Sequence, residues 1–257
     1  MKVRIAGAQA PNGEPPASRQ YASTYLINDT VAIDAGCLGF YGTSLDQARV
    51  RHVFLTHSHS DHIAGLPMFL ENVYGLVCPV IHGEAVTLDA IQRHVFNDVV
   101  WPDFVALSRS VAPFLRLEPL VAEQTVEVEG LRITPIAVNH VVPTVAYMVS
   151  DSETTVVFGA DSGPTNRLWQ LARENGPLEA VFLEASFPDE MRQLAEISLH
   201  LTPEMFAGEV RKMPPDVRVI AVHLKQRYSE EIAKRLCALP GVEIGECDRD
   251  YVFAGLQ

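Results

Sequence analysis

Stacked sheets covered by helices, an α/β (α+β) chain, are the fold class that the sequence predicts. Three observations carry it. Short apolar or alternating runs recur along the 257 residues, as strands buried on one or both faces do. Longer stretches between them carry helical spacing. The first half is strand-rich and ends near Ser150, whereas the second alternates strand with helix, so helices are available to cover the sheets. Periodicity by itself does not select this layout over a single mixed sheet.

In chain order, Val3–Gly7 reads as a first strand because charged and apolar residues alternate there. Strands follow at Ser23–Ile27, Thr30–Asp34 and His52–Leu55, the last closing on Val53-Phe54-Leu55. A helix is expected over Asp61–Val73, a strand at Pro79–His82 and a helix over Glu84–Phe96. Phe114–Glu118, Thr125–Val128, the alternating Leu131–Val138, Ala146–Ser150 and Thr154–Phe158 are the next strands. Helix Thr165–Asn175 and strand Ala180–Glu184 lead to helix Pro203–Met213, which Thr202 caps and Pro203 opens. Strand Val217–Val222 precedes helix Ser229–Leu239, where Glu230 and Glu231 sit near the positive end of the helix dipole. Tyr251–Phe253 is the last strand. No linker, charge block or repeat divides residues 1–257, so one domain is expected.

Composition narrows the function classes. The 47% hydrophobic content is that of a soluble globular protein, and no apolar stretch is long enough to span a membrane. The N-terminus lacks the continuous apolar region of a secretory signal, so the cytoplasm is the expected compartment. Cys37, Cys78, Cys237 and Cys247 are scattered, with no C-x-x-C pair, and read as small hydrophobes. A formal charge of −12 disfavours a protein that holds long nucleic acids by phosphate neutralisation. Bound divalent cations would reverse the sign locally, so a small anionic substrate stays compatible.

The densest chemistry is His57-Ser58-His59-Ser60-Asp61-His62, which places three of nine histidines within six positions. Imidazole and carboxylate suit Zn²⁺ and its first-row neighbours. The cluster follows an apolar strand and precedes a helix, unlike a His-rich surface turn. On an extended loop His57 and His59 point to one side and can share an ion, whereas Asp61 and His62 point differently and can serve a second. His140, Asp161 and His223 each stand just past an expected strand end. A single such residue is usually a turn or cap; their joint placement favours ligands.

These residues carry a resemblance to the metallo-β-lactamase superfamily, over nearly the whole chain. It implies a four-layer αββα sandwich, the metallo-β-lactamase fold, with a dinuclear centre of two divalent ions. Zn²⁺ is the default, and Mn²⁺ or Fe²⁺ would suit a site with two carboxylates. The resemblance implies that His57, His59 and His140 hold one ion, that Asp61, His62 and His223 hold the other, and that Asp161 bridges them. A narrower resemblance, to class II cyclic-nucleotide phosphodiesterases, lies in His94-Val95-Phe96-Asn97-Asp98-Val99-Val100-Trp101-Pro102-Asp103-Phe104, Leu183-Glu184-Ala185-Ser186-Phe187-Pro188, Leu199-His200-Leu201-Thr202-Pro203 and His223-Leu224-Lys225-Gln226-Arg227-Tyr228. The family usually has a glycine before the histidine where this chain has Leu199, a hydrophobic residue at Ser60 and a proline at Gln226. The missing glycine bears on substrate preference more than on reaction type.

What this resemblance implies is hydrolysis of 3′,5′-cyclic nucleotides (cAMP or cGMP) to 5′-nucleotides by a metal-bridging hydroxide. Asp61, Glu184 and His200 are the candidate catalytic residues. His200 is the expected proton donor to the leaving oxygen, and Glu184 orients it and raises its basicity. Asn97 and Trp101 are substrate-binding candidates, Trp101 by stacking on a base and Asn97 by bonding to its edge; packing of the loop by Trp101-Pro102 stands equally beside that role. His52, His82 and His94 match no ligand position and read as structural or surface residues. Homodimer formation is common among similar proteins.

Two alternatives stay inside hydrolases. One is a tRNA 3′-processing endonuclease, although that family usually carries a long basic arm where twenty residues here separate His140 from Asp161. The other is a hydrolase of another small ester, lactone or cyclic phosphodiester. A non-hydrolytic oxidoreductase or binding module is a third class, opposed by the complete ligand set.

Overall fold

The computed structural model describes residues 1–7 and 22–254. Fourteen strands are present among them: β1 (Lys2–Ile5), β2 (Tyr25–Ile27), β3 (Val31–Ile33), β4 (His52–Phe54), β5 (Val80–Glu84), β6 (Arg116–Leu120), β7 (Val126–Val128), β8 (Leu131–Val138), β9 (Thr144–Ser150), β10 (Thr155–Phe158), β11 (Leu178–Glu184), β12 (Arg218–Val222), β13 (Val242–Ile244) and β14 (Asp250–Val252). They form two seven-stranded sheets, ordered β14-β1-β2-β3-β4-β5-β6 and β13-β12-β11-β10-β9-β8-β7.

Alternation within each strand sorts side chains into layers. Val31 and Ile33 face inward with Tyr25, Phe54, Tyr147, Phe158, Phe182 and Ile220, all part of one buried cluster between the sheets. Ala32 and Val53 face the other way, against Leu66, Phe69 and Ile91. On the second sheet Val157, Val181 and Val219 pack outward on Trp169, Phe206 and Ile232. The result is helix, sheet, sheet, helix: the four-layer αββα sandwich.

The covering helices are α1 (Ser44–Gln47), α2 (Ser60–Ile63), α3 (Leu66–Asn72), α4 (Ala85–His94), α5 (Phe104–Ser110), α6 (Arg167–Glu174), α7 (Arg192–Ser198), α8 (Pro203–Val210) and α9 (Ser229–Leu236). The helix expected over Asp61–Val73 is two helices broken at Ala64-Gly65. Gly65 explains the break: a Cβ there would stand 2.6 Å from the Ala35 carbonyl oxygen and 2.9 Å from the Leu38 nitrogen. Close backbone contact thus takes precedence over a continuous helix. Helices α1, α5 and α7 and strand β13 escape the pattern reading because each is too short to show a period.

Strand direction gathers the loops. β3, β4, β5 and β6 pair in parallel, as do β10, β11, β12 and β13. β8 runs antiparallel to β9, and β9 to β10, so β8 points with β10. The segments leaving β3, β4, β8, β10, β11 and β12 therefore emerge from strands' carboxyl ends, where sites in layered α/β folds collect. Among the described residues no helix is long and apolar enough to cross a membrane.

Candidate metal centre

Each sheet brings part of one cluster. The loop after β4 carries His57 and His59, and α2 begins immediately with Asp61 and His62 in its single turn. His140 follows β8, Asp161 follows β10 and His223 follows β12. One ligand atom from each of His57, His59, His140 and Asp161 lies within 4.8 Å of the others, and the same holds for Asp61, His62, Asp161 and His223. Asp161 is common to both groups. Its Oδ2 stands 3.3 Å from His223 Nε2, 3.4 Å from His62 Nε2 and 3.9 Å from His57 Nε2.

The backbone is bent to achieve this. Ala160, which precedes Asp161, His223 itself, and Leu199, which precedes His200, all have left-handed φ near 55°. Such a conformation costs a non-glycine residue on the order of 1 kcal/mol or more and persists where the surroundings enforce it. At Leu199, where the resemblance led to the expectation of glycine, the left-handed turn is held by a leucine.

Burial and charge set the protonation states. Burial pushes the His57, His59, His140 and His223 imidazoles down, leaving them neutral. Burial also opposes the charged forms of His62 and Asp161, but their neighbours outweigh it. Asp161 and Asp34 raise His62 well above its ordinary value, and His223, His62 and His57 hold Asp161 well below the usual carboxylate range. Four neutral imidazoles around an ionised carboxylate are in the forms that bind a cation, whereas His62 must give up a proton to do so.

His57 Nε2 tests whether an ion fits. It is buried, has no hydrogen-bond partner and faces the carboxylate of Asp161. An orphaned nitrogen in such a place is costly, and a divalent cation on its lone pair removes the deficit. The donor set of five imidazoles and two carboxylates suits zinc or a neighbouring first-row metal.

A second layer holds these rings. Asp34, buried at the end of β3, accepts from His62 Nδ1–H at 2.6 Å and from the Thr56 backbone N–H at 2.8 Å. Thr56 Oγ1 donates to Asp34 and lies 3.0 Å from His57 Nδ1. Ser186 Oγ donates to the His223 carbonyl at 3.2 Å and sits 3.3 Å from His223 Nδ1. Sequence reasoning missed Asp34, Thr56 and Ser186. Asp34 carried the signal that singled out Asp161, a carboxylate just past an apolar strand; Ser186 lay inside the Leu183–Pro188 motif but had no pattern of its own to mark it.

Glu184 and His200 lie at the cluster's edge. His200 Nδ1 is 2.6 Å from Glu184 Oε1, and its ring is 5.0 Å from that of His140. Glu184 also accepts from the backbone N–H of Ser162 and of Leu201. Burial opposes a charge on His200, but the hydrogen bond and charge of Glu184 prevail and raise its basicity.

Asn97 and Trp101 are not brought to the cluster. The Asn97 carbonyl accepts from Val99 and Val100 N–H and its amide donates to the Arg93 carbonyl, so its turn consumes it. Trp101 packs its edge toward Phe104 in the helix-side core. Neither lines the recesses beside Asp61, Asp161 and His223. His52 and His82 bond to each other on β4 and β5, and His94 is exposed at the end of α4.

Comparison with known proteins agrees with this architecture. A family described as the beta-lactamase superfamily domain matches residues 33–224. A 3′,5′-cyclic-nucleotide phosphodiesterase of Aliivibrio fischeri is 25% identical over 234 residues, 80% of this chain and 68% of that enzyme. Ribonuclease Z of Pseudomonas putida F1 is 33% identical over 110 residues, 42% of this chain and 32% of that enzyme. The aligned stretches span between 15% and 68% of the curated relatives' own lengths. The crystal structure of unliganded yeast PDE1 superposes with a TM-score of 0.72 at 17% identity, covering 95% of this chain and 96% of that one. With the family matched across both sheets, this chain belongs to the metallo-β-lactamase superfamily.

Proposed function

We propose that this hydrolase-family chain is a metal-dependent phosphodiesterase that opens 3′,5′-cyclic nucleotides to 5′-nucleotides. The observation that carries hydrolysis is the His200–Glu184 pair, 2.6 Å apart, beside a cluster of five imidazoles and two carboxylates; the similarity to a 3′,5′-cyclic-nucleotide phosphodiesterase over 80% of the chain supports the cyclic substrate. His57, His59, His140 and Asp161 would hold one divalent ion, and Asp61, His62, His223 and Asp161 the other, with zinc the first choice. Such ions, when bound, supply Lewis acidity toward phosphoryl oxygens and ionise water near neutral pH.

The chain's own groups do the rest. Asp161 keeps its charge among imidazoles, so it binds cations without first losing a proton. Asp61 is half-buried at the rim, where its carboxylate can accept a hydrogen bond from an entering water. Glu184 fixes the proton on His200 Nδ1, which leaves Nε2 to carry the proton that the departing 3′-oxygen needs. Glu184 is buried and accepts from the backbone N–H of Ser162, also buried, on the side away from solvent. The substrate on this reading is a small anion, the setting the cytoplasm. The similarity to Ribonuclease Z supports a second reading, endonucleolytic cleavage of RNA. Against it, only the β9–β10 hairpin lies between His140 and Asp161, so the long basic arm expected of that family at this place is not there.

Purified protein is loaded with zinc or manganese, its metal content is measured, and it is offered 3′,5′-cyclic AMP, cyclic GMP, a precursor tRNA and a neutral lactone. Release of 5′-AMP or 5′-GMP supports the proposal. Two bound ions with turnover of tRNA or lactone alone would overturn it.

A further inference from the structure

Lys225 stands two residues beyond His223, on the segment between β12 and the single-turn 3₁₀ helix at Gln226–Tyr228. It lines a recess of about 90 Å³ together with Ala22, Ser23, Asp61, His223 and Gln226. The recess therefore shares Asp61 and His223 with the metal cluster and is continuous with it. Among the described residues the one ion pair of Lys225 is with Asp61, Nζ to Oδ2 at 3.9 Å. That is beyond hydrogen-bond length. The same Asp61 oxygen is 3.2 Å from His223 Nε2, so it is committed to the cluster rather than to the ammonium. The Lys225 side chain is 38% exposed, which leaves its donors available to a ligand in the recess.

Charge makes the position informative. The chain carries a formal charge of −12, and an overall negative field repels anions. A cation at the rim of the cluster, 3.9 Å from its nearest carboxylate and not hydrogen-bonded to it, is where an anionic substrate gains most from a fixed charge. A phosphodiester monoanion has two non-bridging oxygens to receive an ammonium, and its phosphomonoester product has three and a second negative charge. A neutral ester or lactone has neither.

From this placement we infer that Lys225 is a specificity-determining residue, the ammonium that binds the phosphoryl oxygens of a phosphodiester in the recess and ranks anionic substrates above neutral esters. The inference rests on the phosphodiesterase reading for its substrate, but product binding tests it separately. Loss of a charge-assisted hydrogen bond at a half-exposed site corresponds to about tenfold in binding.

The test uses metal-replete wild type, Lys225→Gln and Lys225→Arg, each checked for metal content and melting temperature. Binding of 5′-AMP is measured by calorimetry, and turnover with cyclic AMP and with a neutral p-nitrophenyl ester. The expected result is that Lys225→Gln binds 5′-AMP about tenfold more weakly, and that KM for cyclic AMP rises more than kcat falls. Any neutral-ester turnover stays unchanged, Lys225→Arg restores most of the affinity, and added salt weakens the wild type more than Lys225→Gln. Equal 5′-AMP affinity in wild type and Lys225→Gln, or no 5′-AMP binding by either, overturns the inference. If 5′-AMP binding depends on Lys225 while cyclic AMP is not hydrolysed, the phosphodiesterase reading fails and the anion site stands.

Discussion

His200 Nδ1 lies 2.6 Å from Glu184 Oε1, and both groups are buried beside the metal cluster, with His200 7% and Glu184 1% exposed. Such a pair belongs to chemistry or to fold stability, and substitution separates the two. On the proton-donor reading, His200→Ala retains both metal ions and the melting temperature to within a few degrees. Turnover falls by about 10² to 10⁴, the usual contribution of a positioned acid. Glu184→Gln keeps the shape and the contacts from Ser162 and Leu201, but removes the charge that raises His200's basicity; it should lower kcat with little change in KM. Full turnover in a metal-replete His200→Ala variant removes His200 from the mechanism.

Why was so much of this site legible beforehand? The ligands sit where apolar runs stop: Leu55 before the His57 loop, Phe158 before Asp161, Val222 before His223. A polar residue just past a buried strand needs a reason, and several such reasons meet at one end of parallel strands. The layering was less accessible. Val31-Ala32-Ile33 is apolar on both faces because the sheet is buried on both, so alternation does not say which side meets the second sheet. Helix α2 is one turn long and stands on its packing, not on its period. Asn97 marks a different limit: its motif pointed to a substrate, and the structure places its amide in a turn with Arg93, Val99 and Val100.

A second pair of histidines predicts acid sensitivity away from the cluster. His52 Nδ1 and His82 Nε2 are 3.0 Å apart, and His82 stacks on Phe54 with ring centroids 4.2 Å apart. Burial pushes the His82 imidazole down to about 4, and burial lowers His52 as well. The folded state thus favours neutral rings more than the unfolded chain does. Their stabilisation is fully present above the unfolded value of about 6.5 and is lost as pH falls toward the folded value of about 4. His82→Phe keeps an aromatic ring on Phe54 and removes one titrating group. Melting in chelator at pH 7.5 and 4.5 should show a smaller drop in the variant than in wild type, by about 5 °C. Equal drops would mean that this pair does not govern the acid limb.

Asp34 shows how a buried carboxylate outside the cluster can decide whether an ion binds. Its Oδ1 accepts from Thr56 N–H and its Oδ2 accepts from His62 Nδ1–H, so Nε2, which faces Asp161, is the nitrogen that exchanges its proton for an ion. Asn at this position must still present an oxygen to Thr56 N–H, so its NH₂ turns to His62. Two donors cannot face each other; the imidazole proton moves to Nε2 and the lone pair is lost there. Asp34→Asn should therefore weaken the ion held by Asp61, His62, Asp161 and His223 by about 10- to 100-fold, the usual effect of removing such a partner. The ion at His57, His59 and His140 is affected less, since only Thr56 links Asp34 to His57. On the two-ion reading, chelator competition should then release one ion early and one late from the variant, and both late from wild type. The metal-free variant should melt within a few degrees of the metal-free wild type, which distinguishes a changed tautomer from a damaged fold. If Asp34→Asn holds two ions as tightly as wild type, the His62 tautomer is not controlled from Asp34.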